Sequence, residues 1–152
     1  MRISHAPPDY DCPFCGIVDG RGSERTKPEH VIARYEQVTV FMNPRWWENN
    51  RGNVLVVPNE HFENLYELPL EYGTPILGAA RDAALAMKAA YGCYGVSTRQ
   101  HNEPAGNQEV WHYHLHVFPR WENDNLYRTH GFWAPGDELL EMTEKLRSAW
   151  PG

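Results

Sequence analysis

The 152-residue chain carries 14 Lys+Arg against 20 Asp+Glu, a formal net charge of −6, with 41% hydrophobic and 22% charged residues. That size and balance fit one folded domain and exclude both a disordered chain and non-specific binding to a nucleic-acid backbone, which needs a basic surface. No stretch approaches the ~20 apolar residues of a membrane span, the start MRISHAPPDYDCPFCG has no apolar leader, and three Cys cannot build a multi-bridge disulfide framework, so a cytoplasmic protein without membrane contact is expected.

Residues 1–10, with Pro7-Pro8, read as a flexible lead-in to a single domain over 11–152. A short turn or helix carries Cys12-Pro13-Phe14-Cys15, and the Gly/Ser/Arg run 19–27 reads as a loop. His30–Tyr35 and Gln37–Met42 are β-rich runs with almost nothing between them, which predicts a hairpin stopped by Asn43-Pro44. Asn53–Val57 lies between Gly52 and Pro58, and its unbroken apolar character predicts a strand buried on both faces. Leu70, Ile76, Leu77, Ala80, Ala84, Met87 and Tyr91 recur at helical spacing, predicting one long helix over 69–91 that stops at Gly92. Gly73, Pro75 and Gly78 weaken its first turns and move its start towards Thr74. Gly95–His101 and Trp111–Phe118 read as strands separated by the loop Asn102–Val110. Asp137–Trp150 reads as an amphipathic helix with Asp137 as N-cap and Leu139, Leu140, Met142 and Leu146 partly buried. His5, His30, His101 and His130 are expected on loops or the surface, and Cys93 as a semi-buried thiol.

The run His112-Tyr113-His114-Leu115-His116 is the chemically loaded stretch. On a strand its three imidazoles share one face, and packing alone gives no reason to place three titratable rings together. Two rival readings remain: a half-exposed strand with His on its wet side, and a metal site built from the three rings. A neutral imidazole is also a competent nucleophile towards phosphorus at neutral pH. Cys12 and Cys15, with two residues between them, can ligate one zinc ion from a single turn but supply only half of a tetrahedral set; a redox pair is the alternative, without the βαβ context it needs.

His112-Tyr-His-Leu-His-Val-Phe-Pro-Arg120 resembles the signature of the histidine-triad (HIT) superfamily, His-φ-His-φ-His-φ-φ. The likeness runs upstream through Val40–Asn43, Arg51–Pro58, His61–Leu65 and Asn102–Gln108, and so covers most of residues 11–121. It implies an α+β fold: a HIT-like antiparallel sheet of about five strands with one long helix and a C-terminal helix, paired as a homodimer. It implies hydrolysis or transfer at the α-phosphate of a nucleotide, such as a phosphoramidate or dinucleoside polyphosphate, through a nucleotidyl-His intermediate.

By this resemblance His114 is the nucleophile and His116 a phosphate contact, Asn102 and Gln108 position phosphate oxygens, and Asn43 holds the ribose. Phe14, Ile17, Phe41 and Val54 line the pocket for the base, expected to be a purine, although each also reads as plain core. Asn53 stands where the family often has a His that orients the triad, and Glu109 where Ser or Thr is common. Glu109 therefore faces solvent or acts as general acid for the leaving group, whose side of the cleft Trp121–Tyr127 are placed to shape. Family members with this Cys pair are zinc-bearing, which implies a structural zinc held by Cys12, Cys15, His61 and His112. A non-catalytic nucleotide-binding or regulatory module is the alternative function.

Overall fold

The computed structural model describes residues 1–152. Its elements in chain order are α1 (Pro13–Val18), β1 (Val31–Arg34), β2 (Val38–Met42), β3 (Arg45–Trp47), β4 (Val54–Pro58), α2 (Gly73–Tyr91), β5 (Gly95–Gln100), β6 (Leu115–Arg120), β7 (Gly131–Trp133) and α3 (Gly136–Ser148). Five strands form an antiparallel sheet ordered β1-β2-β4-β6-β5, and β3 pairs with β7 as a separate two-stranded ribbon. The fold is α+β, with one long helix and a C-terminal helix, as the resemblance implied.

Strand register sorts the side chains onto two faces. Val40, Val56 and Leu115 lie across from one another, as do Met42, Val54 and Val117, and both rows join the core under α2 and α3. On α2 the buried positions are Ile76, Ala79, Ala80, Ala83, Ala86 and Met87. Alanine dominates that stripe, which lets the helix axis approach the sheet closely. The opposite sheet face carries the row Val31, Phe41, Leu55, His116, Arg99, one residue from each strand in register. Phe14 and Ile17 of α1 cover its apolar end, forming a second, smaller core with Val31, Phe41 and Leu55.

The hairpin β1–β2, the doubly buried β4 and the helix stop are where the sequence put them; Gly92 closes α2 in the left-handed region at φ 65°. The helix starts at Gly73 after a single 3-10 turn over Leu70–Tyr72. Leu70 and Leu77, part of the apolar helical spacing in the sequence, point outward at 92% and 71% exposure. Pro135 holds the N-cap position of α3, so Asp137 sits inside the first turn and acts on the helix dipole. His30 is buried, its Nδ1 accepting from the Lys27 N–H at 3.0 Å, which corrects its assignment to the surface.

The His-bearing strand is shorter at its start than expected: β6 begins at Leu115, not Trp111. Pro58 ends the neighbouring β4 and has no N–H to extend a ladder. Residues 111–114 instead follow the loop after β4, with the Tyr113 N–H donating to the Phe62 carbonyl at 2.6 Å. The β3–β7 ribbon buries Trp46 edge-on to Phe132. Asp124 closes the turn after β6, accepting from Arg120 Nε at 2.8 Å, from Asn50 Nδ2 at 2.8 Å and from the Trp121 N–H at 3.0 Å. Near the start of the chain, the Ser4 hydroxyl and the His5 and Ala6 N–H groups donate to the Glu63 carboxylate, and Asn64 Nδ2 donates to the Ile3 carbonyl.

Candidate functional site

Leaving the sheet ladder early gives each His of the run a different environment. His112 is fully buried, and its Nε2 donates to the Pro58 carbonyl at 2.9 Å. That hydrogen bond fixes the tautomer and leaves Nδ1 without a proton, facing Cys12 Sγ at 3.3 Å, Cys15 Sγ at 3.6 Å and His61 Nδ1 at 3.2 Å. Cys15 Sγ and His61 Nδ1 are 3.3 Å apart, and one donor atom from each of the four residues lies within 4.8 Å of all the others. Tetrahedral zinc with its usual bond lengths requires ligand-to-ligand separations of about 3.3–3.8 Å, so the four pairs at 3.2–3.6 Å already stand near that spacing and the widest pair closes by at most about an ångström around the ion. Cys12 is the N-cap of α1, its Sγ accepting from the Cys15 N–H, and Pro13 starts the helix. The short helix is thus what presents both sulfurs on one side. Burial and the neighbouring Cys12 push the Cys15 thiol up to about 12.

His114 turns the opposite way. Its Nδ1 donates to the His112 carbonyl at 2.7 Å, which leaves Nε2 with a free lone pair, and burial holds the ring at about 4, so it is neutral at pH 7. Phe14 meets it edge-on with centroids 5.1 Å apart, and His116 lies 5.1 Å beyond. His116 is also kept neutral, by burial first and then by His114 and Arg99. Its ring stacks on Phe118 at 5.6 Å, and its Nδ1 is buried without a partner.

His114 and His116 open on a cleft of ≈ 680 Å³, within the usual range for a small-molecule site. Phe14, Ile17 and Leu55 form its apolar wall, and Asn43, Trp47, Arg99, His101, Asn107, Glu109 and Val110 also line it. Asn43 is in the wall, but Nδ2 donates to Asn53 Oδ1 at 2.8 Å and Oδ1 accepts from the Arg45 N–H at 3.0 Å. Asn53 bonds only Asn43 and the Arg45 carbonyl, so it supports β3 and touches no His of the run.

Several expected site residues lie elsewhere. Val54 is a correction: it belongs to the core beneath α2, and its neighbour Leu55 faces the cleft, because successive strand residues point to opposite sides. Phe41 stands behind Phe14, 5.3 Å away, as the floor of that wall. Gln108 uses Nε2 on the Glu63 and Val110 carbonyls and Oε1 on the Glu103 N–H. Asn102 exchanges hydrogen bonds with Gln100 and accepts from the Leu65 N–H. Both amides shape the loop rather than line the cleft, since backbone carbonyls take the Gln108 donors and the Gln100 side chain takes that of Asn102. Glu109 does line it, exposed. Sequence reasoning missed His101, whose ring lies 5.8 Å from His116, together with Leu55 and Arg99; the only available signal was their even spacing along strands whose facing was not yet known.

Residues 24–123 match the HIT domain. The chain belongs to the HIT family. It is 30% identical over 144 residues to Protein hit of Bacillus subtilis (strain 168), covering 90% of this chain and 92% of that one. A Zn-bound histidine triad family protein from Mycobacterium smegmatis superposes with a TM-score of 0.75 at 28% identity, over 91% of this chain and 92% of that chain. A Hit-like protein from Bartonella henselae gives 0.79 at 25% identity, over 95% and 99%. Some members are nucleotide hydrolases by name: adenosine 5'-monophosphoramidase HNT1 of Saccharomyces cerevisiae, 30% identical over 74% of this chain and 64% of its own length, and adenylylsulfatase HINT3 of Arabidopsis thaliana, 26% identical over 83% and 60%. No helix of this chain is long and apolar enough to cross a membrane.

Proposed function

We propose that this HIT protein hydrolyses or transfers the nucleotidyl group of an α-phosphate-linked nucleotide through a covalent intermediate on His114. The observation that carries the reading is the fixed tautomer of His114: Nδ1–H held by the His112 carbonyl, Nε2 bare, and the ring neutral in the wall of the cleft. Nε2 donates its electron pair to the α-phosphorus, and the bond from phosphorus to the leaving group breaks. The leaving group departs with that pair and collects a proton, for which Glu109, exposed at the rim, is the candidate acid. Water then attacks the same phosphorus, loses its proton and returns His114 to its starting form, giving a ping-pong path. His116 Nδ1, buried and unpartnered, is the group available to a non-bridging phosphate oxygen as charge shifts in the transition state. The wall of Phe14, Ile17 and Leu55 suits a base, purine in this reading, and Asn43 keeps lone-pair capacity on Oδ1 towards a ribose.

Zinc, when bound by Cys12, Cys15, His61 and His112, supplies a structural cross-link and leaves no open position for water. The protein works as a homodimer: Leu77 at 71% and Leu85 at 52% exposure form an uncovered stripe on α2 with Leu70, and Tyr94 adds to it beside β5, which is an open sheet edge. A second copy of this chain offers both a matching helix face and a strand edge. Brief exposure to adenosine 5'-phosphoramidate or diadenosine triphosphate, followed by mass spectrometry, is expected to show a nucleotidyl adduct on His114 that is absent in His114→Ala. Binding without adduct or turnover would establish the non-catalytic module instead.

A further inference from the structure

The cleft is electrostatically unlike the rest of this acidic chain. Three arginines line it, Arg25, Arg45 and Arg99, and none of their side chains has a hydrogen bond or an ion pair within the chain. The half-buried arginines elsewhere are satisfied: Arg120 by Asp124 and Ser97, Arg51 by Glu48. Arg25 and Arg45 lie over Trp133, at 3.9 and 5.3 Å, near the outer rim. Arg99 sits deeper. It is opposite His116 in the β5–β6 register, so both side chains leave the same sheet face. Its guanidinium rests 4.5 Å from the Phe118 ring, 5.2 Å from Trp47 and 5.8 Å from Tyr127. The same Phe118 ring stacks on His116, which makes a continuous path from His114 through His116 and Phe118 to Arg99.

Arg99 Nε is buried and unpartnered. Aromatic stacking accounts for the position of the plane, but it leaves the buried Nε donor of a partly desolvated cation unused, which is unfavourable unless an acceptor arrives. The only carboxylates lining the cleft are Glu24 and Glu109, and neither pairs with Arg99. The row Phe41, Leu55, His116, Arg99 therefore runs across the sheet from an apolar wall, past the candidate nucleophile's neighbour, to an uncompensated fork of donors. A substrate whose base lies against Phe14 and Leu55 and whose α-phosphorus is over His114 extends its leaving group in the direction of Arg99.

We infer that Arg99 reads the charge of the leaving group, selecting nucleotides whose α-phosphate bears an anionic group, a sulfate or a further phosphate chain, over those whose leaving group is a neutral amine. The inference rests on the nucleotidyl-His reading for its direction and names the substrate class of that same site. Sulfate and phosphate share the oxyanion geometry a guanidinium fork binds. Arg99 approaches the departing group, so the interaction strengthens as negative charge accumulates there.

The test compares kcat/KM of the full chain for adenosine 5'-phosphosulfate and diadenosine triphosphate, each divided by that for adenosine 5'-phosphoramidate. In Arg99→Met at least one of these ratios is expected to fall about 10- to 100-fold, the loss of a charged hydrogen-bonding partner, and Arg99→Lys to recover part of it. A fall in one ratio alone supports the inference and identifies which anion is read. Both ratios unchanged within about twofold, well below the effect of one such partner, overturn it. Arg99→Gln makes the same comparison if the Met variant fails to fold. If wild-type protein turns over none of the three and forms no adduct on His114, the nucleotidyl-His reading fails on its own. Arg99 is then read by equilibrium binding to protein carrying His114→Ala: an affinity advantage of adenosine 5'-phosphosulfate or ADP over AMP that Arg99→Met removes supports it, and no advantage in either protein overturns it.

Discussion

The two faces of the five-stranded sheet are covered in opposite ways. Beneath α2 and α3 lies one uninterrupted core in which Val40, Val54, Val56, Val117, Ala83, Ala86 and Met87 are completely buried. Across the sheet, six residues of α1 cover only the apolar end, and the other end is left to imidazoles and a guanidinium. The first face obtains its stability from area removed from water. The second has a smaller apolar cluster, and there Cys12 and Cys15 of the α1 turn, His61 of the loop after β4 and His112 of the His run bring together four donor atoms that could hold a metal ion. A metal bound there would hold the open half by a few directional bonds, so that the sheet keeps a polar cleft on one side without losing its fold.

Perturbing the metal side gives the largest expected effect. Purified protein is expected to contain about one zinc per chain, and chelation to lower the melting temperature by about 10 °C or more, measured by scanning calorimetry; protein free of metal and equally stable would break the comparison. Next comes Asp124, whose carboxylate is held well below the usual range by its hydrogen bonds with Arg120, against the opposing effect of burial. Its pKa is lower folded than unfolded, so its contribution is present above the unfolded carboxylate pKa of about 4 and is lost as pH falls towards the folded value. Asp124→Asn should cost about 3 kcal/mol at pH 7 in urea unfolding, with the difference from wild type shrinking below about pH 4.

A parity pair then separates the faces directly. Val54→Ala is expected to cost about 2 kcal/mol with nucleotide affinity kept, whereas Leu55→Ala should weaken nucleotide binding by more than its neighbour does, as titration calorimetry on both variants would show. Smallest for the monomer is Leu77→Glu, on the uncovered stripe of α2: fold stability should move by less than about 0.5 kcal/mol, while light scattering is expected to report a change from dimer to monomer.

Local sequence was enough for much of the architecture. The β-branched runs, the alanine-rich helix and its Gly92 stop, and the Cys pair on a short turn are all encoded within a few residues of themselves. What it could not show depends on long-range pairing. The ribbon of Arg45–Trp47 with Gly131–Trp133 is three residues deep and joins segments far apart, with no periodicity to betray it. In β4 every residue is apolar, so nothing local distinguishes Val54 from Leu55, and facing is decided only by register against β6. Asn102 and Gln108 are expected at the phosphate from the family resemblance, yet their donors are used on the Gln100 side chain and on the Glu63 and Val110 carbonyls. The early end of the ladder at Pro58 gives His112 and His114, apparently equivalent in the sequence, hydrogen bonds to different carbonyls and different surroundings.

The Glu63 carboxylate is filled by donors from Ser4, His5 and Ala6, while the carbonyl of the same residue receives the Gln108 amide that holds the cleft loop. The opening residues of the chain are therefore fastened to the same anchor as the rim of the site. Removing Ser4, His5 and Ala6 would strip the Glu63 carboxylate of three donors and loosen the residue on which the loop carrying Glu109 is hung.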